Sequence, residues 1–256
     1  PGGNGMIGTE YVSKASPDGY TLLAMPSSFV MNAALYNNAT YDPVKDFESV
    51  ATLASYSLLL VCHPSLPVRS VKALIALAKA QPGTLNYSSG GIGTSNHVAA
   101  ELFASMAGVK LTHVPYKGAG PAVIDVLAGN VSTMISNPTA VVPHIRTGKL
   151  KALGILGGQR IDVLKDVPTA VEQGYKEFAD VIEWYGMVAP KATPRSIINQ
   201  LNAGLTKVLM LPEVQERIRA LGMTPSPTTP EEFDKQIRAD HALWGRVVRQ
   251  AGVKAE

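Results

Sequence analysis

The 256-residue chain has very little of what covalent chemistry requires. Its one cysteine, Cys62, rules out an intrachain disulfide and a cysteine-built metal centre. It sits in the apolar run Leu58-Leu59-Leu60-Val61-Cys62, where a thiol behaves as a small buried hydrophobe. Charged residues make up only 17% of the chain and the net charge is +3. That charge is too weak and too scattered for the basic stripe that grips nucleic acid. None of His63, His97, His113, His144 and His241 has the His-x-x-x-His spacing of a metal site. There is no Gly-x-Ser-x-Gly nucleophile elbow and no evident pair of carboxylates that would divide acid and base roles. No apolar run approaches the roughly 20 residues that a membrane-crossing helix needs.

What is present is a hydrophobic content of 46%, ample for a packed core in one large or two smaller domains. The most telling stretch is Tyr87 to Met106. A strand ends in the glycine-rich turn Ser89-Gly90-Gly91-Ile92-Gly93-Thr94, and an amphipathic helix follows, with Val98, Ala99, Leu102, Phe103 and Met106 on one face. The first N–H groups of a helix lack intrahelical partners and sit at the positive end of its dipole, so this turn suits an anion. No Gly-Lys-Ser or Gly-Lys-Thr follows, which excludes a P-loop. Asn96 stands where a dinucleotide fingerprint needs its third glycine. A carboxylate is the guest that remains.

The order of elements places this turn in an α/β fold. A helix from Met6 to Ala15, a strand from Tyr20 to Met25 and a helical turn around Asp42-Pro43 precede a long extended run, Ser49 to Cys62. Ser70 caps a helix over Val71–Ala80. Strands are then expected at Leu85–Ser88, Leu111–Val114, Val131–Ile135 and Leu150–Leu156, with helices between them, one opening at Pro121. Such alternation predicts a mostly parallel sheet with helices on both faces. Pro168 to Gln173 reads as a short helix and Val181 to Ala189 as a returning strand. Three helices, each opened by a proline, complete the chain: Pro194–Met210, Pro212–Leu221 and Pro230–Ala251. They must pack on the sheet begun by the first fifty residues, so the chain visits one lobe, crosses to a second and returns.

Ligand contacts in open α/β folds gather at the carboxyl ends of strands. Ser27 and Ser28 stand at one such end, as ligand contacts or as helix caps. Tyr116 and Lys117 stand at another: Tyr116 shapes a cleft, and Lys117 either lends positive field or is simply solvated. Ser136 and Asn137 stand at a third, as neutral hydrogen-bonding groups. His97, one turn into the helix, either reaches the bound acid or packs and caps. Trp184 either lines a cleft or fills a core.

Several blocks occur together: Ser-x-Gly-x-Gly-Thr-x-x-His from Ser89 to His97, His113-Val114-Pro115-Tyr116-Lys117-Gly118, Pro17-Asp18-Gly19-Tyr20-Thr21-Leu22-Leu23, Tyr41-Asp42-Pro43-x-Lys45-Asp46-Phe47 and Asp166-Val167-Pro168-Thr169. In these blocks, and from Pro1 to Gly252, the chain resembles the Bordetella uptake gene family, the extracytoplasmic solute receptors of tripartite tricarboxylate transporters. The resemblance implies an α/β, periplasmic-binding-protein-like (type II) Venus flytrap with crossover hinge strands. Residues 1–55 and 189–256 would form lobe 1, and 56–188 lobe 2. It implies a periplasmic, non-enzymatic receptor without cofactor or metal. The ligand would be a small organic acid such as a dicarboxylate, acidic amino acid or aromatic acid, and the partners membrane transporter subunits, with no nucleic acid.

Carried onto this sequence, the glycine turn (Ser89, Gly90, Gly91, Gly93 and Thr94), with Tyr116 and Asn137, falls where second-lobe contacts are expected, and Ser27 and Ser28 where the first lobe answers them; His97, Lys117, Ser136 and Trp184 join them as ligand-contact candidates from the reading of the residues alone. Family members carry a strand, a Pro-Phe-x-x-Gly-Gly ligand loop and a second strand ahead of the segment matching Pro1. If that part is absent from the molecule, the first lobe lacks these strands and half of its ligand grip. The alternative from a different class is a hydrolase or transferase that uses the glycine-rich turn as an oxyanion site.

Overall fold

The computed structural model describes residues 5–36, 39–179 and 182–251. The chain divides into two compact units. Unit 1 takes Pro1–Ser55, Trp184–Ile218 and Thr224–Glu256, and unit 2 takes Tyr56–Glu183 and Arg219–Met223.

Unit 1 opens with α1 (Met6–Ser13), β1 (Leu23–Pro26), α2 (Ser28–Leu35) and most of β2 (Phe47–Tyr56). After the excursion into unit 2 it resumes with β8 (Glu183–Pro190), α7 (Arg195–Leu209), α8 (Pro212–Ala220), the two-residue strand β9 (Thr224–Pro225) and α9 (Pro230–Ala251). Its sheet runs in the order β1-β8-β2-β9, with β1 antiparallel to β8 and β9 antiparallel to β2. An aromatic cluster fills its core. Phe29 stacks on Tyr41 at 5.3 Å and meets Phe47 edge-on at 5.2 Å, while Tyr41 Oη donates to Phe29 O at 2.7 Å. Trp184 packs edge-on against Phe233 at 5.0 Å. The second face is closed by Ile198 of α7, with Leu201 and Leu205 against Val50 and Ala189. Of the three proline-opened helices, α7 and α9 thus pack on the sheet begun by the first fifty residues, whereas α8 buries none of its residues.

Unit 2 contains β3 (Leu58–Cys62), α3 (Val71–Ala80), β4 (Asn86–Ser89), α4 (Ser95–Ala107), β5 (Thr112–Pro115), α5 (Ala119–Leu127), β6 (Thr133–Ser136), α6 (Pro138–Arg146) and β7 (Lys151–Leu156). The strand order is β5-β4-β6-β3-β7. Every residue of β3 is buried, as befits a strand covered on both faces. Cys62 within it is held as a thiol, its pKa pushed up to about 11 by burial. On one face Ala122 and Val126 of α5 and Val141 of α6 pack on Leu59, Val61, Met134 and Ile155.

Two expectations need correcting. The sheets are mixed rather than mostly parallel. β4 runs parallel to β5 and to β6, but β3 lies antiparallel to both β6 and β7. Strand β3 arrives along the extended crossover from β2, not through a helix, so nothing forces it into the direction that a βαβ unit would impose. The segment Pro168 to Gln173 is not a helix. Thr169 forms a parallel bridge with Ile155, and Ile155 N–H donates to Pro168 O while Ala170 N–H donates to Ile155 O. Pairing with the edge of β7 outcompetes local helix formation there.

Candidate functional site

The strand order itself creates a crevice. The connection leaving β4 through α4 runs outward to β5, whereas the one leaving β6 through α6 runs the other way, to β7. Strands β4 and β6 are hydrogen-bonded neighbours, so their carboxyl ends form a topological switch point, where open α/β sheets bind ligands. The glycine turn lies at the end of β4, and Ser136 and Asn137 at the end of β6. Tyr116 lies just past β5. Two helices, α4 and α6, begin at this edge, and both present N-terminal N–H groups.

Each residue of the turn has an identifiable task. Thr94 is the N-cap of α4, its Oγ1 accepting from His97 N–H at 3.4 Å and donating to Gly91 O at 2.8 Å. Gly91 adopts a φ of +126°, and a Cβ there would stand 3.1 Å from Tyr116 O. Gly93 has a φ of +80°. Gly90 lies against the chain beginning α5: its carbonyl accepts from Gly118 N–H at 2.9 Å, and a Cβ would meet Ala119 N at 3.1 Å. Glycine is thus required both for conformation and for close approach. Asn137 caps α6, its Oδ1 accepting from Ala140 N–H at 3.1 Å and from Thr139 Oγ1 at 2.8 Å. The Ser136 hydroxyl is fully buried and has no hydrogen-bond partner among the described residues. A buried polar atom in that state calls for an explanation.

Beneath the turn lies a layer that the sequence motifs did not reveal. The His113 ring, from β5, stacks between Tyr87 (4.8 Å) and His97 (4.3 Å). His113 Nε2 is 2.6 Å from Ser89 Oγ, which also accepts from Gly91 N–H at 3.1 Å. His97 Nδ1 accepts from Gly93 N–H at 3.1 Å, and Tyr87 Oη donates to Glu101 Oε1. Burial depresses both imidazoles. His113 is lowered to about 4, with His97 adding to the effect and Glu101 opposing it. His97 is lowered by burial against a smaller upward pull from Glu101. Register builds this layer: Tyr87 pairs with His113 across β4 and β5, which brings two separate sequence blocks together.

The Ser89–His113 contact has the spacing of a nucleophile and its base. The serine is fully buried, however, and already accepts a turn N–H. An imidazole lowered to about 4 is a poor proton acceptor at neutral pH.

The remaining sites fall into place by burial. Tyr116 is half-buried, its Oη donating to Asp125 Oδ2, which raises the phenol to about 12. Lys117 is exposed. Ser27 occupies the N-cap position of α2, where its backbone N–H donates to Trp184 O at 2.9 Å, and Ser28 is the first residue of that helix. Trp184 does not line a cleft. It is wholly buried in the unit 1 core, with Nε1 donating to Asp240 Oδ2 at 2.7 Å. Phe233 and Ile237 of α9 share its buried cluster, so the ring is spent on packing.

Known proteins are similar to this chain over nearly all of its length. The family model of the tripartite tricarboxylate transporter family receptor matches residues 1–253. Protein BugT of Bordetella pertussis is 38% identical over 255 residues, covering 99% of this chain and 78% of that protein. The solved structure of the periplasmic binding protein BugD superposes with a TM-score of 0.91 at 32% identity, covering 100% of this chain and 86% of that one. Rpa4515 of R. palustris, solved with adipate, also gives a TM-score of 0.91 at 32% identity, covering 98% and 84%. Similarity of this extent, running through both units, makes the chain a member of the tripartite tricarboxylate transporter receptor family, with its two-lobed periplasmic-binding-protein fold.

Proposed function

We propose that this protein is a periplasmic receptor that holds a small carboxylated organic compound at the β4/β6 strand ends of unit 2 and delivers it to the membrane subunits of a tripartite tricarboxylate transporter, without catalysing a reaction. The observation that carries this is the switch point itself: two helix N-termini and a glycine turn converge on one edge of the sheet. N–H groups and helix dipoles favour an anion there. The polar side chains at that edge, Ser136, Asn137 and Thr94, are neutral hydrogen-bonding groups suited to orienting a carboxylate. The adipate seen with a family member of the same fold is of this chemical class. Ser27 and Ser28, at the strand-to-helix junction of unit 1, are proposed as that unit's ligand contacts, and Lys117 as a source of positive field. His97 and Ser89 serve the ligand through the turn that they brace.

A thermal-shift panel of adipate, succinate, glutamate and benzoate tests this. A ligand at a hundredfold excess over its Kd stabilises by ~2.7 kcal/mol, equivalent to roughly 5 °C or more for a chain of this size. At least one member should give a shift that grows with concentration. No shift across the panel refutes the proposal. Among the described residues, the Ser89–His113 contact is the feature that suits a hydrolase. Ester turnover lost on Ser89→Ala would replace the receptor with that enzyme.

A further inference from the structure

Both ends of the glycine turn terminate on an imidazole. Gly93 N–H donates to His97 Nδ1 at 3.1 Å. Gly91 N–H donates to Ser89 Oγ, which in turn contacts His113 Nε2 at 2.6 Å. The two rings stack at 4.3 Å with 21° between their planes. A ring nitrogen that accepts a hydrogen bond carries no proton. Protonating His97 Nδ1 would set a donor against the Gly93 N–H, and the pair would lose its bond. Protonating both rings would place two like charges in face-to-face contact, a repulsion that burial strengthens.

The groups facing the stack are few. From α4 come His97 itself and Glu101, whose carboxylate accepts from Tyr87 Oη; from β4 comes Tyr87; from β5 comes His113. Among the described residues, the carboxylate that acts on the rings is that of Glu101. Its pull is outweighed by burial at both, so both imidazoles lie below the usual histidine range.

Resting on the receptor function proposed above, we infer that His97 and His113 are positioning residues that hold the carboxylate-gripping turn only while both rings are neutral, so that acidification loosens the turn and weakens the grip. The sequence motif Ser-x-Gly-x-Gly-Thr-x-x-His then has a physical basis. Its serine and its histidine are the two ends of a brace, and His113 is the element that couples them.

Histidine-ring 15N NMR of the ligand-free protein reads the brace directly. At pH 7.5, His97 Nδ1 should be unprotonated. On acidification both rings should titrate below ~6.5, with the Gly91 and Gly93 amide resonances moving at the same midpoints. A proton on His97 Nδ1 at pH 7.5, or ring titrations that leave those amides unmoved, overturns the inference.

Adipate titrations of wild type and His97→Asn supply the functional arm. Asn can still accept from Gly93 N–H but does not titrate, so each protein is read against its own affinity at pH 7.5. Between pH 7.5 and 4.5 the wild-type affinity should fall at least threefold more than the variant's. Protonation of adipate itself is common to both proteins and cancels. Equal falls overturn the coupling. If adipate binds neither protein at pH 7.5, adipate as the ligand fails, and the ring NMR still decides the brace.

Discussion

Replacing Gly91 by alanine should damage the turn in two separable ways. The residue holds a φ of +126°, a region that side chains avoid at a cost of ~1–3 kcal/mol. Its new Cβ would also stand 3.1 Å from Tyr116 O. That carbonyl belongs to a backbone segment fixed by Tyr116 N–H donating to Ser89 O at 3.0 Å and by Tyr116 Oη donating to Asp125, so it cannot retreat easily. Gly91 is further bound through both of its own polar groups, N–H to Ser89 Oγ and C=O to Thr94 Oγ1. The combined loss should be ~2–4 kcal/mol. Gly83 is the matched control: its φ is +76°, with nothing within 4 Å of a built Cβ, so Gly83→Ala should cost only ~1 kcal/mol. Urea denaturation of both variants measures the difference, and adipate titration should show at least a tenfold affinity loss for Gly91→Ala alone. Equal costs at the two glycines, or unaltered binding in Gly91→Ala, would refute the assignment of close approach and the role of the turn.

Two further substitutions probe unit 1. Asp240 is raised above the ordinary carboxyl range by burial, against the Trp184 N–H that favours its charge. For an acid raised on folding, the stability cost is absent below the unfolded value of ~3.9 and complete above the folded one. Asp240→Asn, which can still accept from Trp184 Nε1, should therefore be as stable as wild type or more so at pH 7, by up to ~1 kcal/mol. That advantage should shrink as the pH falls toward 4, and a variant destabilised at pH 7 would contradict it. Ala192 is exposed and holds a φ of +68°, so Ala192→Gly should raise stability by ~0.5–1 kcal/mol in chemical denaturation. A loss there would show that the turn does not strain alanine.

Much of this was legible in the sequence because local chemistry decided it. Ser70 accepts from Ala73 N–H at 3.0 Å as its capping position predicts, and the glycine turn leads into α4 as the pattern of Val98, Ala99 and Phe103 requires. Cys62 is buried in a strand. What escaped was decided by residues far apart in the chain. Alternating elements fix that strands and helices follow one another, but not that β3 slips in antiparallel between β6 and β7. The short β9 pairs with β2 across a separation that no local signal reports. Trp184 has the same local sequence whether it faces a ligand or a core, and only packing against Phe233 and the bond to Asp240 decides it. The role of His113 depends on register, which places it beside Tyr87 and beneath His97.

The most direct test of carboxylate binding at the strand ends is a 1H–15N chemical-shift titration with whichever acid of the panel binds most tightly. The largest saturable shifts should fall on the amides of residues 90–96 and of Asn137 and Thr139, at the ends of β4 and β6. Saturable binding that leaves both of these segments unmoved would contradict the site.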